Sequence, residues 1–235
     1  NAKIEKITPT RIETELARKK IVLVAGFQGI NKYDDVTTLG RGGSDTSAVA
    51  LAAGLHADLC EIYTDVDGVY TTDPRICPGA HKLDDISYDE MLELATLGAG
   101  VLHNRSVELA KKYGVRMVVR SSLNTSEGTV VRGGSKMEKM LVSGVAGDAD
   151  TARVAIVGLK DEPGVAFKLF NALAKHNINV DMILQSVGRK GTKDISFTTS
   201  EENADEAAKV ISENFSNFES VDVNKKVAKV SIVGA

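Results

Sequence analysis

Two stretches of this 235-residue sequence carry residue types that can do chemistry at close spacing. The first is Val36-Thr37-Thr38-Leu39-Gly40-Arg41-Gly42-Gly43-Ser44-Asp45-Thr46-Ser47-Ala48. Three glycines in four residues do not suit a helix or strand interior, where glycine gives up too much backbone freedom. The Ala, Val and Leu content from Ala48 to His56 predicts a helix, with Ser44 or Asp45 as its N-cap. A glycine loop running into a helix aims backbone N–H groups and the positive end of a helix dipole at one spot, which favours an anion. Arg41 adds a planar donor fork for a carboxylate or phosphate. Asp45 adds a negative group suited to a substrate ammonium or a metal. A tight turn with an ordinary cap would read the same way in isolation.

The second stretch is Ile62-Tyr63-Thr64-Asp65-Val66-Asp67-Gly68-Val69-Tyr70-Thr71-Thr72-Asp73-Pro74-Arg75. Asp65, Asp67 and Gly68 are turn formers, and Asp73-Pro74-Arg75 reads as a rigid turn. A calcium loop is excluded, because Ile76 stands where the bidentate Glu would be needed. Gly42-Gly43-Ser44-Asp45-Thr46 lacks the second glycine of a serine-hydrolase elbow.

The elements that must position these loops follow from hydrophobic patterning. Pro9 to Arg18 reads as a short polar helix. Ile21-Val22-Leu23-Val24-Ala25 is a continuous apolar run, expected to form a strand buried on both faces, with Gly26-Phe27-Gln28-Gly29 as the turn leaving it. Strands are expected at Leu59–Tyr63 and Val115–Arg120. Ser87-x-x-Glu90 is a capping box opening a helix to about Leu97, and Asn104–Tyr113 is a helix stopped by Gly114. The alternation indicates an α/β layer fold. His103 stands just ahead of the second helix and reads as a packing or capping residue. Glycine and charge accumulate from Gly128 to Lys139, and Met140–Val145 reads as a strand.

A new pattern starts at Ala152: strand to Gly158, turn at 160–164, helix Val165–His176, and strand Ile178–Gln185. A strand Lys193–Thr199, a helix Ala204–Phe215 and a strand Phe218–Val223 complete it. The order βαββαβ is a ferredoxin-like unit. In Ile178–Gln185 the alternation puts Ile178, Val180, Met182 and Leu184 on one face and Asn179, Asp181 and Gln185 on the other. Ala152-Arg153-Val154-Ala155-Ile156-Val157-Gly158 returns as Ala228-Lys229-Val230-Ser231-Ile232-Val233-Gly234, the mark of a second module's first strand.

Composition narrows the class. The chain is 43% hydrophobic and 26% charged, with 29 basic and 32 acidic residues evenly mixed and a net charge of −3, so a soluble globular protein with no basic stripe for nucleic acid is expected. No apolar run is long enough to span a membrane. Cys60 and Cys77 lack metal-site spacing and read as free thiols of a reducing cytoplasm.

In their order and spacing the two chemical stretches resemble the aspartokinase family, and the resemblance runs through all 235 residues. It implies the C-terminal half of a three-layer αβα amino-acid-kinase domain over residues 1–136. A regulatory region follows over 137–235, with an ACT module at 152–224 and the start of a second at 227–235, the strand near Met140 belonging to that second module. The implied reaction is transfer of the ATP γ-phosphoryl group to the side-chain carboxylate of L-aspartate, with Mg²⁺, at the head of lysine, threonine and methionine biosynthesis. By the same resemblance Arg41 forks onto a substrate carboxylate, Ser44 hydrogen-bonds the substrate, and Asp45 orients the ammonium or the catalytic cation. Thr64, Asp65, Tyr70 and Arg75, with Gly100 and Val101, meet the nucleotide, and no protein metal site is implied. Asp161, Gly164, Ala166, Asn179, Val180, Asp181 and Gln185 contact an effector, lysine or threonine or both. ACT modules pair side by side, so a homodimer or higher oligomer in the cytoplasm is implied, with neither nucleic acid nor membrane as partner.

Two departures stand out. Gly100 and Asn104 occupy positions where many members have lysine and proline. The family's N-terminal Lys-x-Gly-Gly motif is absent, as is most of a second ACT module, so the chain reads as truncated at both ends and inactive by itself. Rival readings are a kinase of glutamate or acetylglutamate, which would generally lack the ACT module, and a non-catalytic regulatory subunit, in which the loop from Thr64 to Arg75 would have no purpose.

Overall fold

The computed structural model describes residues 2–134, 142–187 and 191–234. The chain divides into two compact units, Asn1–Ala146 with Ser231–Ala235, and Gly147–Val230.

In the first unit, helix α1 (Thr10–Ala17) follows Pro9, which stands at its N-cap. A short antiparallel hairpin follows, β1 (Gln28–Ile30) and β2 (Val36–Thr38). Then come α2 (Gly43–Gly54), β3 (Cys60–Thr64), β4 (Asp85–Ser87), α3 (Tyr88–Thr96), α4 (Asn104–Tyr113), β5 (Met117–Ser121) and β6 (Thr129–Arg132). The main sheet has the order β3-β5-β6-β4. Strand β3 is parallel to β5, β4 is parallel to β6, and β5 and β6 are antiparallel. Val49 of α2, Met91 and Leu94 of α3 and Val107 of α4 are buried with Ile62, Met117, Val119 and Val131 of the sheet. Burial of these side chains, each worth about 1.5–3 kcal/mol, holds the helices to one sheet face.

The capping box at Ser87 and Glu90 forms in both directions, and Gly114 ends α4 in the left-handed conformation, as the sequence predicts. Three expectations change. The apolar run Ile21–Ala25 is not a strand: no described segment pairs with it, and Ile21 and Leu23 are fully exposed. A strand needs a ladder partner as well as apolar side chains. Helix α2 begins at Gly43, five residues before Ala48, and its N-cap is Gly42 rather than Ser44 or Asp45. Finally, β6 lies within the glycine-rich text read as a change of region; the part of that text at 135–139, and Met140 and Leu141 of the strand expected there, lie outside the described residues.

The second unit is built from β7 (Gly144–Lys160), α5 (Val165–Lys175), β8 (Ile183–Val187), β9 (Thr192–Thr199), α6 (Ala204–Asn214) and β10 (Ser220–Val233), with β7 starting and β10 finishing in the first unit's residues. The sheet order β10-β7-β9-β8 on a βαββαβ chain is the ferredoxin-like arrangement. Val165, Leu169 and Leu173 of α5 and Ala207, Val210 and Ile211 of α6 bury against Val154, Ile156, Ile195 and Phe197. Two strand expectations merge into longer elements. The described part of Met140–Val145 and all of Ala152–Gly158 lie on or next to the single strand β7, and the second copy of the repeat continues the strand begun at Ser220.

The alternation expected for Ile178–Gln185 breaks. Ile178 is buried, but β8 begins only at Ile183, and Ile183 and Gln185 pair opposite the buried Phe197 and Ile195. Leu184 therefore lies on the other face and is exposed, as is Met182. At a sheet edge one residue of irregular backbone is enough to exchange the faces.

Candidate active site

The glycine loop is shaped from behind. Gly42 has φ 68°, and a Cβ there would fall 2.2 Å from Cγ of His103. A Cβ on Gly43 would meet Phe27 at 2.9 Å and Leu39 at 3.0 Å. The Gly43 N–H bonds back to the Gly40 carbonyl at 3.0 Å. The N–H groups of Ser44 and Asp45, in the first turn of α2, have no acceptor within the helix. Ser47 Oγ accepts the Phe27 N–H at 3.1 Å and donates to the Gly43 carbonyl at 2.7 Å, tying the segment after Gly26 to the helix start. Arg105 of α4 donates to the Leu39 carbonyl at 3.1 Å and to the Ala2 carbonyl at 2.6 Å. His103 caps α4, its Nδ1 accepting the Arg105 N–H at 3.3 Å.

Arg41 and Ser44 are exposed at this loop, and Asp45 is half-buried. Burial pushes the Asp45 carboxyl above its ordinary range, and the His103 backbone N–H and imidazole pull against that shift without cancelling it. The Asp45 charge is felt at Cys60, whose thiol is pushed up to about 11 by burial first, then by Asp45 and Glu61. Cys60 is thus an unreactive core thiol, whereas Cys77 is exposed. Gly100 and Val101 lie on the α3–α4 connection that ends in His103, and space around Gly100 is open.

The second loop leaves β3 at Thr64. The Thr64 carbonyl takes the Ser122 N–H at 2.8 Å, and its hydroxyl donates to Asp65 at 3.0 Å. Tyr70 donates to Asp67 Oδ1 at 2.9 Å, while Lys82 lies 3.4 Å from Asp67 Oδ2 and 2.9 Å from Ser126 Oγ. Burial alone would raise the Asp67 carboxyl, but the Tyr70 hydroxyl and the Lys82 ammonium outweigh it and hold it below the ordinary carboxylate range. The Tyr70 hydroxyl is raised, chiefly by that same bond. Arg75 forks onto Asp73 at 2.7 and 3.0 Å on the open surface. Sequence reasoning did not single out Lys82, whose partners lie 15 and 44 residues away.

Arg41, Ser44 and Asp45 thus share one helix N-terminus, and Thr64, Asp65, Tyr70 and Arg75 share one loop. The effector candidates are split. Asp161 donates its N–H to the Gly191 carbonyl, just before β9, and pairs with Lys193; Gly164 and Ala166 open α5 beside it. Asp181 donates its N–H to the Thr198 carbonyl, and the Asn179 carbonyl accepts from Thr199. Gly191 and Thr198 are seven residues apart along an extended strand, roughly 23 Å. Gln185 pairs midway, with Ile195, and Val180 is partly buried. The Asp181 carboxylate accepts from Lys229, a lysine only 10% exposed that also faces Asp148 at 3.7 Å.

The amino acid kinase family profile matches residues 1–121, and the ACT domain profile matches residues 154–215. An aspartokinase of Helicobacter pylori is 53% identical over 100% of this chain and 59% of its own length. The crystal structure of E. coli aspartokinase III in complex with aspartate and ADP (R-state) is similar with a TM-score of 0.76 and 30% identity, covering 96% of this chain and 51% of that one. The structure of the same enzyme with lysine and aspartate (T-state) gives 0.77 and 31% over the same shares. The chain therefore spans about three fifths of the relative's length. An amino acid kinase domain is followed by an ACT domain, and with more than half of its residues matched by the kinase profile the chain belongs to the amino acid kinase family.

Proposed function

We propose that this chain serves an aspartate kinase, which transfers the γ-phosphoryl group of ATP to the side-chain carboxylate of L-aspartate and releases ADP. What supports this above all is the 53% identity to an aspartokinase, which covers the whole of both units. A carboxylate oxygen attacks the γ-phosphorus and the bond to the bridging oxygen of ADP breaks; no proton has to be removed from the nucleophile. The protein's work is then to bring two anions together and spread the developing charge. Arg41 and the free N–H groups of Ser44 and Asp45 hold the aspartate carboxylates, and the Asp45 carboxylate receives the ammonium. Thr64, Asp65, Tyr70 and Arg75 meet the nucleotide, with Gly100 and Val101 beside it. Arg75 reaches a phosphate by exchanging Asp73 for it. Asp65, which accepts only the neighbouring Thr64 hydroxyl among the described side-chain bonds while Asp67 is held by both Tyr70 and Lys82, would be the loop carboxylate to hold a Mg²⁺ carried by the triphosphate, and the ion would there neutralise phosphate charge.

The regulatory reading rests on residues 137–235, with the ACT module at 152–224 and a further module's start at 227–235. Because roughly 23 Å of β9 separates Asp161, Gly164 and Ala166 from Asn179, Val180 and Asp181, one effector pocket needs the two ends of two modules. Lysine or threonine would bind between paired copies, in a cytoplasmic enzyme of lysine and threonine biosynthesis. No described helix is long and apolar enough to cross a membrane.

Calorimetric titration of the chain with Mg·ADP, aspartate, lysine and threonine tests the reading. Binding of ADP and aspartate is expected. Binding of lysine or threonine alone would replace the kinase with an amino-acid sensor.

A further inference from the structure

The structure assigns Lys82 a role in the same nucleotide site: we propose that it is the positioning residue that fixes the Asp67–Tyr70 pair, and with it the inner wall of the nucleotide loop. The inference rests on the nucleotide reading of residues 64–75.

Two sets of contacts hold this loop, and they do different things. The first is backbone. Val69 and Leu83 bond at 2.8 Å, Thr71 and His81 at 2.9 Å, and the fully buried Thr129 accepts the Val69 N–H at 2.8 Å while donating to the Leu83 carbonyl at 2.6 Å. These bonds set the path of residues 69–71 without any help from the Lys82 side chain. The second set is ionic. The Lys82 stem lies against Gly68, where a Cβ would come within 3.0 Å of its Cδ. That contact directs the ammonium to Ser126 Oγ at 2.9 Å and to Asp67 Oδ2 at 3.4 Å. Asp67 Oδ1 is then left to Tyr70. Remove the ammonium and the Asp67 carboxylate loses the partner that fixes its rotation, so the Tyr70 ring loses its anchor while the backbone stays in place. Lys82 is itself a poor phosphate ligand. Its side chain is largely covered, and any phosphate brought to it would face the Asp67 carboxylate.

The test is ADP binding to the whole chain by calorimetry, in a double-mutant cycle. Lys82→Met is expected to weaken ADP about tenfold with aspartate binding unchanged, and Lys82→Arg to restore it to within about threefold. Asp67→Asn is expected to weaken ADP by a similar factor, and the double variant to be no weaker than either single one. Amide exchange of residues 69–71 should match the parent in every variant. Ser126→Ala, which keeps both charges, should give a smaller loss in the same direction should Lys82→Met fail to fold. Unchanged ADP affinity in folded Lys82→Met overturns the proposal. So does tighter binding in Asp67→Asn with the Lys82→Met loss intact in that background, because that pattern means direct contact between Lys82 and phosphate. Absence of ADP binding by the parent chain overturns the nucleotide reading, and the proposal with it.

Discussion

Two helices in this molecule start in the same unusual way, and their surroundings differ. Gly42 caps α2 and Gly164 caps α5, with φ of 68° and 80°, and neither cap uses a side chain. Both leave first-turn N–H groups free for a ligand. Behind Gly42 the space is full: the His103 ring lies where a Cβ would go, and Ser47 and Arg105 fasten the flanking backbone. Around Gly164 there is nothing within 4 Å of such an atom. The first loop is held in place by its own unit, as the substrate role proposed for it requires. The second is open around its cap, which is compatible with the proposed effector site between paired modules.

The sharpest way to break this comparison is to add one methyl group at each cap. Gly42→Ala meets both the left-handed strain, about 1–2 kcal/mol, and an overpacked neighbour, about 1–3 kcal/mol. A loss of about 2–5 kcal/mol in urea denaturation is therefore expected from these two terms. Adding His103→Ala should recover the steric part only. A loss unchanged by that second substitution would mean the crowding at His103 does not matter.

Asp45→Asn comes next, and it acts in opposite directions on binding and on stability. Losing a charged partner for the substrate ammonium should weaken aspartate binding by about 1.5–3 kcal/mol. The fold should become more stable, because the folded Asp45 carboxyl lies above its unfolded value and its ionisation is a cost. The sign follows: stability falls as pH rises from the ordinary carboxylate range through the raised value, and the cost stays in force at neutral pH. The variant should lack this step in melting temperature against pH. A melting temperature lower than the parent's at pH 7 would contradict it.

Ser47→Ala is smaller. The Phe27 N–H would lose its acceptor, at a cost of about 1–3 kcal/mol if no water replaces it. Thermal unfolding measures it, and an unchanged melting temperature would show that the loop holds without this tie.

What the sequence made legible follows the same division. Signals confined to a few residues were readable: the Ser87–Glu90 box, Gly114, and the βαββαβ order of the second unit. The two chemical stretches were readable as stretches, since Arg41, Ser44 and Asp45 are nearly consecutive. The start of α2 was not, because a left-handed glycine cap leaves no Ser or Asp signature and reads as loop. Ile21–Ala25 misleads because an apolar run alone settles neither pairing nor burial, both of which depend on another segment. Lys82 was invisible because its meaning lies in Asp67 and Ser126, reached only through the sheet. The split of the effector residues could not be read either, since it depends on which end of β9 each segment meets.

The smallest effect expected is the most discriminating for the regulatory unit. Gly164→Ala has the left-handed strain without the clash, so it should cost only about 1–2 kcal/mol. Urea denaturation should therefore place it below Gly42→Ala by the overpacking difference, about 1–3 kcal/mol. Part of that strain can be relieved by a shift of the loop, since nothing blocks it, whereas the Gly42 loop is tied on three sides. If a preformed pocket existed around Gly164 in a single copy, the added methyl would instead abolish lysine or threonine binding at any protein concentration. If the pocket forms between modules, the variant should bind the effector more weakly, with the deficit shrinking as protein concentration drives pairing. Calorimetry at two protein concentrations separates the outcomes, and a concentration-independent loss would mean that α5 carries a complete site by itself.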